Sequence, residues 1–168
     1  MNFRHDILPL KNIVFRTALR IVLNREEAED IVQDTLVKLW ERREKLDKVE
    51  NLEAFALTMV RNLALDWKKK MDNQHVSFDD EAHDRLDENT NSADKMLAQK
   101  ETTGAIARII NSLPEKQRTI IQLRDIEGKT YQEIANTLSI SESDVKVTLF
   151  RARQAMKEKI LQKKSFFL

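Results

Sequence analysis

The sequence of 168 residues contains no cysteine. A chain without thiols forms neither a disulfide bond nor a thiolate metal site, and this absence suits the reducing cytoplasm. Its three histidines are scattered along the chain without the spacing of metal ligands: His5, His75 and His83. We therefore expect a cytoplasmic protein that holds no metal and no other cofactor.

Glycine and proline are also scarce, with two residues of each. Both interrupt helices, whereas the abundant Leu, Ile, Ala, Glu, Lys and Arg favour them. No apolar run, including the stretch Met1–Phe15, is long enough for a signal peptide or a membrane span. These features predict an all-α protein without membrane insertion.

Charge is nearly balanced overall, at +1, but it is unevenly distributed along the chain. Residues 1–71 carry a net charge of +2, residues 72–103 carry −6 and residues 104–168 carry +5. We predict two small helical domains, at 1–71 and 94–168, joined by a flexible acidic linker at 72–93. Two basic domains favour a polyanionic partner. The linker is either an inert tether or an imitation of nucleic acid that lies in a basic channel of a partner.

A helix-turn-helix is predicted from Thr130 to Ala155. Thr130 with Glu133, and Ser141 with Asp144, have the spacing of two helix-capping boxes, and only a short turn separates the two helices. The apolar residues recur at helical spacing, where two crossing helices must touch: Ile134, Ala135, Leu138, Ile140, Val145, Leu149 and Ala152. Ser139 occupies the turn, where such motifs often have glycine.

The outward face of the second helix is basic. It is predicted to carry Lys146, Thr148, Phe150, Arg151 and Arg153. A helix fits the DNA major groove, and cations with hydrogen-bonding side chains suit base edges and phosphates. The alternative is an ordinary helical hairpin whose basic face is only solvated. The two caps, the short turn and the basic second helix together favour DNA binding.

Three helices are predicted in the N-terminal domain: Leu8–Leu23, Arg25 to about Lys45, and Leu52 to about Met71. Asn24 is the expected cap of the second helix. The third helix should bury Phe55, Met59, Leu63 and part of Trp67. Its exposed end combines amide, aromatic and cationic groups that could hold unstacked bases: Arg61, Asn62, Asp66, Lys68, Lys69 and Lys70. Alternatively, these lysines only complement the helix dipole.

The C-terminal domain begins with a helix predicted over Asp94–Asn111. Ser112 and Glu115 have the spacing of a further capping box, with Pro114 in the first turn of the next helix. That helix should end near Glu127, because Gly128 is a natural residue just after a helix. The helix-turn-helix follows and should pack on this pair.

Taken together, these segments resemble a bacterial RNA polymerase sigma factor of the extracytoplasmic-function (ECF) type. The resemblance covers nearly the whole chain outside the linker. It is carried by AEDIVQDTLVKLW (Ala28–Trp40), LEAFALTMVRNLALDWKKK (Leu52–Lys70), LPEKQRTIIQLRDIEGKTYQEIANTLSIS (Leu113–Ser141) and VKVTLFRARQAMKE (Val145–Glu158). These runs are jointly specific in this order.

The resemblance implies a region 2 and a region 4 domain with three binding surfaces. The face that docks on the clamp helices of the polymerase β′ subunit would comprise Glu29, Asp30, Gln33, Asp34 and Leu36. The part that melts and reads the −10 element would comprise Arg61, Asn62, Lys68 and Lys69, with the connector of residues 46–51 receiving a flipped-out base. The −35 element would be contacted by Lys146, Val147, Phe150, Arg151 and Arg153. The β flap of polymerase, promoter DNA and an anti-sigma factor are the further partners implied.

Two other classes of function have different requirements. A stand-alone helix-turn-helix repressor or activator would need a dimer interface or an effector pocket in residues 1–71. A nucleic-acid-processing enzyme is disfavoured, because the sequence has no phosphate-binding loop, metal-ligand cluster or nucleophile–base pair with local motif support. The expectation is therefore a non-enzymatic promoter-specificity factor.

Overall fold

A computed structural model of the chain describes the backbone of residues 1–74 and 97–167 and the side chains of residues 1–74 and 104–163. These residues form two helical domains, with no strand in either described range. The described residues form eight α-helices: α1 (Lys11–Val22), α2 (Arg25–Glu41), α3 (Arg43–Leu46), α4 (Leu52–Gln74), α5 (Leu97–Asn111), α6 (Glu115–Ile121), α7 (Tyr131–Leu138) and α8 (Glu142–Phe167).

Two short helical turns precede α1, so the first helix starts later than predicted. Phe3–Ile7 forms a π-helical turn, and Leu8–Leu10 forms a 3₁₀ turn that contains Pro9. The side chain of Asn2 caps the first turn by accepting the Arg4 N–H at 2.9 Å. The fully buried Ile7 anchors these turns to the core.

The turn between α1 and α2 follows the prediction. Leu23 has a left-handed backbone with φ +58°, and its N–H donates to the Leu19 carbonyl at 2.8 Å, which ends α1. The Asn24 side chain then accepts the Glu27 N–H at 3.1 Å and begins α2. The predicted cap at Asn24 is therefore confirmed.

The second helix is shorter than predicted. It ends at Glu41, because Arg42 leaves the helical region with φ −97° and ψ 10°, and the separate turn α3 follows. Asn51 then caps α4 by accepting the Ala54 N–H at 3.0 Å. Helix α4 continues three residues past the predicted end at Met71, to Gln74.

Helix α4 lies between the two domains, and its burial pattern reflects this position. It packs against α1 and α2 on one side and against α7 on the other. Its fully buried residues are Ala56, Leu57, Val60 and Ala64, whereas the residues predicted to be buried are only partly so: Phe55, Met59, Leu63 and Trp67. A one-sided amphipathic pattern could not reveal a helix that is covered from two sides.

The predicted capping box at Ser112 and Glu115 is wrong. Pro114, not Ser112, directly precedes α6, and no side chain caps this helix. The Ser112 hydroxyl instead donates to the Ile109 carbonyl at 2.6 Å, while Glu115 accepts the Thr119 hydroxyl at 2.8 Å. Because Ser112 lies two residues before the cap position at Pro114, its side chain serves the end of α5 instead.

A wide turn connects α6 to the helix-turn-helix. Residues Gln122–Ile126 are π-helical, and the Glu127 N–H donates to the Gln122 carbonyl at 2.9 Å. Gly128 then adopts φ +73°, a conformation that glycine takes without a Cβ penalty. The predicted helix stop at Gly128 is thus confirmed, although the helix that precedes it changes from α-helical to π-helical at Gln122.

The predicted helix-turn-helix is formed by α7 and α8. The Thr130 hydroxyl accepts the Glu133 N–H at 3.1 Å, and the Ser141 hydroxyl accepts the Asp144 N–H at 3.0 Å. Ser139 is left-handed at φ +56° and closes α7 with its N–H on the Ala135 carbonyl. The inward-facing residues of the two helices are buried as predicted, except that Ile140 is partly exposed: Ile134, Ala135, Leu138, Val145, Leu149 and Ala152.

The two domains are packed on each other. Helix α1 contacts α6 and the π-helical turn, α4 contacts α7, and a single apolar core runs through both domains. The predicted domain limits (1–71, 72–93 and 94–168) stay a prediction. Of the predicted linker, residues 72–74 belong to α4 and the remainder lies outside the described residues, as do residues 94–96 of the predicted fourth helix.

Candidate nucleic-acid interface and partner surfaces

One exposed stripe of α2 carries acids and an amide. Glu29, Asp30, Gln33 and Asp34 are all exposed, and we call this set the α2 face. Among the described residues, its only ion pair is the surface contact of Glu29 with Arg25 at 3.4 Å. Most of the negative charge of the α2 face is therefore available to a binding partner.

Leu36 does not belong to the α2 face. Its side chain is only 8% exposed and lies in the core, because it is two positions beyond Asp34 on the inward side of the helix. Val37 is 55% exposed and lies four residues after Gln33, so it continues the α2 face as an apolar contact. The spacing from Gln33 could have revealed Val37, but its apolar character suggested a core position.

The exposed residues of α4 beyond its first turns form one polar stripe. Asn62, Asp66, Lys69 and Lys70 share one side of the helix at three- to four-residue spacing, and we call this set the α4 stripe. Lys68, which was predicted with them, is half-buried. The stripe places an amide beside two cations, a combination able to contact both bases and phosphates.

Arg61 is turned away from this stripe. Its guanidinium lies 3.6 Å from the Glu115 carboxylate of α6, and its side chain is only 15% exposed. The structure therefore separates Arg61 from Asn62, with which it was predicted to act. Adjacent positions on a helix point about 100° apart, so one of the two had to face the packed side of α4.

The connector between α2 and α4 is built on an aromatic support that the sequence analysis missed. The Arg43 guanidinium stacks over the Trp40 ring at 4.2 Å and donates to the Trp40 carbonyl at 2.9 Å. Phe3 meets the same ring edge-on, with centroids 5.6 Å apart. Leu46 is buried, whereas residues 47–51 are exposed. The exposed residues 47–51 therefore extend from a packed cluster of Phe3, Trp40 and Arg43.

The exposed face of α8 is compact. Lys146, Val147, Phe150 and Arg151 are exposed neighbours on two turns of the helix, and we call this set the α8 face. Phe150 is 64% exposed and Val147 is 47% exposed, so apolar surface lies between two cations. Such a face can bind phosphates through its cations and thymine methyl groups through its apolar side chains.

Two residues predicted on this face have other roles. Thr148 is 8% exposed, and its hydroxyl donates to Asp144 at 3.1 Å. Arg153 forms a two-point ion pair with Asp125 of the π-helical turn, at 2.5 and 3.2 Å, and the hydrogen bond raises the pKa of Arg153. Arg153 therefore already has an intramolecular partner, a contact that depends on the turn before α7 and was invisible in the sequence.

Salt bridges and ring contacts fix α8 against the preceding helices. Lys116 of α6 donates to Asp144 at 2.9 Å, and this hydrogen bond lowers the pKa of the Asp144 carboxyl. Tyr131 of α7 has Arg124 stacked on its ring at 4.3 Å and the Lys146 ammonium 5.4 Å from its centre. The α8 face is thus held in a defined orientation.

Comparison with known families accounts for both domains. Residues 7–74 match the family described as Sigma-70 region 2, and residues 103–156 match the family described as Sigma-70, region 4. The α2 face and the α4 stripe lie in the first match, and the α8 face lies in the second. The chain belongs to the sigma-70 family. Within that family, it is of the extracytoplasmic-function type.

The relatives of this sigma-70 family chain are named as RNA polymerase sigma factors. It is 29% identical over 158 residues to the probable RNA polymerase sigma factor RfaY of Xanthomonas campestris pv. campestris, covering 91% of this chain and 39% of the relative. It is 26% identical to the ECF RNA polymerase sigma factor SigE of Mycolicibacterium smegmatis, covering 86% and 56% respectively. It is also 26% identical to the ECF RNA polymerase sigma factor SigX of Bacillus subtilis, covering 82% of this chain and 73% of the relative. The chain thus spans well under two thirds of the first two relatives.

Two solved structures share the fold of this sigma-70 family chain. The sigma factor RpoE of Bartonella quintana, solved with the anti-sigma factor NepR, aligns with a TM-score of 0.70 at 23% identity, covering 93% of this chain and 94% of that chain. CnrH, solved with the cytosolic domain of CnrY, aligns with a TM-score of 0.67 at 18% identity, covering 94% and 86%.

The described residues of this sigma-70 family chain contain neither a membrane-spanning helix nor a metal-binding cluster. None of its described helices combines the length and apolarity that crossing a membrane requires. Within the same residues, no three side chains of His, Cys, Asp or Glu are grouped closely enough to hold a metal ion.

Proposed function

We propose that this chain binds core RNA polymerase and directs promoter-specific initiation of transcription. Support comes from one observation above all: three chemically distinct surfaces, the α2 face, the α4 stripe and the α8 face, are exposed on the two matched regions. A stand-alone repressor would need the α8 face together with a dimer interface or effector pocket, but neither the α2 face nor the α4 stripe. Sigma-70 factors are in general not enzymes, and we propose no chemistry for this chain.

We assign the α2 face, extended by Val37, to the clamp helices of the polymerase β′ subunit. Exposed carboxylates beside an amide and one apolar side chain fit a basic, partly apolar partner helix, because opposite potentials steer association and a buried apolar contact adds affinity. Helices α5–α8 would contact the β flap, and an anti-sigma factor would be the further protein partner. Because it works on polymerase, the chain would act in the cytoplasm.

We assign the two nucleic-acid surfaces by the chemistry that each presents. The α4 stripe and the exposed connector of residues 47–51 suit the unstacked bases of a melted −10 element, with Asn62 as its amide and Lys69 as a phosphate contact. The α8 face suits the major groove of the −35 element. The predicted linker of residues 72–93 would join the domains that carry the α4 stripe and the α8 face.

The decisive experiment is co-migration of the purified chain with bacterial core RNA polymerase on a sizing column. We expect a stoichiometric complex, weakened about 10-fold or more by Asp30→Lys combined with Gln33→Ala, which corresponds to about 1.4 kcal/mol or more. Glu158→Lys is the matched control, because it reverses an exposed acid on α8 that lies outside the α2 face. Both variants should keep the helical circular-dichroism spectrum.

The opposite result is equally clear. If the wild-type chain fails to bind polymerase but forms a dimer that binds duplex DNA tightly and with sequence specificity, the chain is a stand-alone repressor or activator. If polymerase binding survives the change at Asp30 and Gln33, the assignment of the α2 face is wrong even though the proposed function stands.

A further inference from the structure

A cation and two aromatic rings meet where α2 ends. The Trp40 ring has the Arg43 guanidinium stacked on it at 4.2 Å. The Phe3 ring lies edge-on to the same ring, with centroids 5.6 Å apart and an interplanar angle of 87°. Both contacts have geometries that the quadrupole of an aromatic ring favours, and all three side chains are half-buried. We call Phe3, Trp40 and Arg43 the aromatic support.

Arg43 links the end of α2 to the connector. Its Nη1 donates to the Trp40 carbonyl at 2.9 Å. This carbonyl lies in the last turn of α2, where carbonyls lack their usual intrahelical donors and the helix dipole favours a cation. The Arg43 carbonyl in turn accepts the Asp47 N–H at 3.1 Å. The side chain of Arg43 is therefore fixed to α2, while its backbone holds the first exposed residue of the connector.

Phe3 is brought to Trp40 by the first helical turn of the chain. The Asn2 side chain caps this turn by accepting the Arg4 N–H at 2.9 Å, and the fully buried Ile7 anchors it at the other end. The turn packs on α2. Phe3 precedes residue 7, where the region 2 match begins, so this part of the aromatic support lies outside the segment that the family match covers.

The side chains of the connector are exposed between two fixed ends. Leu46 is buried at one end, and the Asn51 side chain accepts the Ala54 N–H at 3.0 Å at the other. Between them, residues 47–50 are exposed, and the Val49 N–H donates to the Leu46 carbonyl at 3.0 Å. Groups that discriminate between bases must be held to within a fraction of an ångström by neighbours that are themselves fixed. The aromatic support supplies such neighbours at the start of the connector.

A direct contact with a DNA phosphate is the other role that a cation in this position suggests. The Arg43 guanidinium is already stacked on the Trp40 ring and hydrogen-bonded to the Trp40 carbonyl, so it would have to give up both contacts to bind a phosphate. Lys45 and Lys48 are exposed on the same segment and are better placed for that purpose. The geometry therefore favours a role for Arg43 within the protein.

We infer that the aromatic support fixes the backbone of residues 47–51 and thereby sets how sharply the connector discriminates between bases of the −10 element. The inference rests on the proposed function, which gives the connector its role. Phe3, Trp40 and Arg43 are positioning residues, because they act through the connector and not by touching a base. None of the three belongs to the α2 face, so loss of a stacking contact should weaken base discrimination and leave polymerase binding unchanged.

Two substitutions each remove one contact from the aromatic support. Phe3→Leu keeps an apolar side chain but loses the edge-on ring, and Arg43→Gln loses the stacked cation. Phe3→Tyr retains the ring and is the conservative variant that should preserve function. Arg4→Gln is the matched control for the change of charge, because Arg4 is exposed on the same turn as Phe3. Trp40 is left unchanged, because it packs against the core and its loss could unfold the domain.

Amide hydrogen exchange of the free, full-length chain measures the order of the connector directly. We expect the Asp47 and Val49 amides to exchange about 2- to 5-fold faster in Phe3→Leu and in Arg43→Gln, the size expected for loss of one partly exposed stacking contact. Phe3→Tyr and Arg4→Gln should exchange as the unsubstituted chain does, and the core amide of Val60 should be unchanged in every variant. Unchanged exchange of Asp47 and Val49 in both disruptive variants would overturn the inference.

Reconstituted polymerase measures the consequence for promoter reading. Complex formation is compared on promoters that carry each of the four bases in turn at every position of the −10 element. At one or more positions, the ratio between the preferred base and the others should fall about 2- to 5-fold in Phe3→Leu and in Arg43→Gln. The ratio should keep its wild-type value in Phe3→Tyr and Arg4→Gln, and affinity for core polymerase should be the same in all variants.

Two results would overturn the positioning role. One is a set of base ratios that no variant changes. The other is a loss in Arg43→Gln that is equal for all bases and accompanied by a salt slope lower by about 1, which would make Arg43 a phosphate contact. If the wild-type chain does not bind polymerase at all, the proposed function fails, and hydrogen exchange still decides whether the aromatic support fixes the connector.

Discussion

At the scale of single residues, Arg151 and Arg153 show how two nearby arginines on one helix take different roles. Arg151 is exposed on the α8 face and forms no ion pair with a described residue, whereas Arg153 is bound at two points to Asp125. A side chain that already has a carboxylate partner must give it up before it binds DNA, and this exchange reduces the net gain. Arg151 is therefore the better candidate for a base or phosphate contact.

We predict that Arg151→Ala weakens formation of the polymerase–promoter complex by about 1–3 kcal/mol if Arg151 contacts a base edge. Arg153→Ala is the matched control and should change complex formation much less, because its ion pair with Asp125 is partly exposed and such pairs contribute about 0–1 kcal/mol. Quantitative footprinting with reconstituted polymerase measures both. Equal losses for the two variants would place Arg153 back among the DNA contacts.

At the scale of elements, the helix-turn-helix depends on one strained residue. Ser139 adopts φ +56° to end α7, a left-handed conformation that disfavours every residue with a Cβ. The left-handed position itself is common after helices and is usually glycine. The serine therefore contributes a local strain that the surrounding packing must overcome.

We predict that Ser139→Gly stabilises the C-terminal domain by up to about 1 kcal/mol, because glycine removes the left-handed penalty. Ser143→Gly is the matched control. It places the same residue type in the first turn of α8, where glycine should destabilise by up to about 1 kcal/mol. Thermal unfolding followed by circular dichroism should give shifts of opposite sign. A lower melting temperature for Ser139→Gly would show that the serine side chain stabilises the fold by more than its left-handed backbone destabilises it.

At the scale of the whole molecule, the contact between the domains is linked to pH through Glu127. Burial opposes ionisation of this carboxyl, but hydrogen bonds from Arg16 and Gln122 and the charges of Arg16 and Arg20 outweigh it and lower the pKa of Glu127. The ionised carboxylate thus favours packing of the two domains on each other, because Arg16 and Arg20 belong to α1. This contribution is fully present above the ordinary carboxyl pKa near 4.5 and is lost as pH falls through the lowered value.

We predict that the two domains separate as pH falls below about 4.5 while their helices remain formed. Because the chain lacks cysteine, dyes on Asn12→Cys and Lys157→Cys, both exposed positions, report the separation as a fall in energy transfer. Glu127→Gln should show a smaller part of this shift, because its amide does not titrate. Parallel circular dichroism separates opening of the domains from unfolding. Energy transfer that stays constant until the helices melt would show that Glu127 does not link closure to pH.

The sequence by itself determined the features that depend on neighbouring residues. The all-α class follows from helix-forming composition, the cap at Asn24 from a side chain three residues from the amide that it binds, and the stop at Gly128 from the backbone freedom of glycine. The helix-turn-helix core and the exposure of the α2 and α8 faces follow from periodicity. Motif resemblance identified the family because it compares many such local features at once.

Tertiary structure alone decided which polar residues are available. Leu36 is buried, Arg61 faces Glu115, and Arg153 is paired with Asp125, although all three were predicted at binding surfaces. Helix α4 is enclosed from two sides because the domains pack together. These contacts join residues 28 or more positions apart, or domains across the linker, so no local pattern encodes them. The contact of Arg118 with the end of α1 is of the same kind, because Arg118 reaches the Arg20 and Ile21 carbonyls only after both domains have folded and docked.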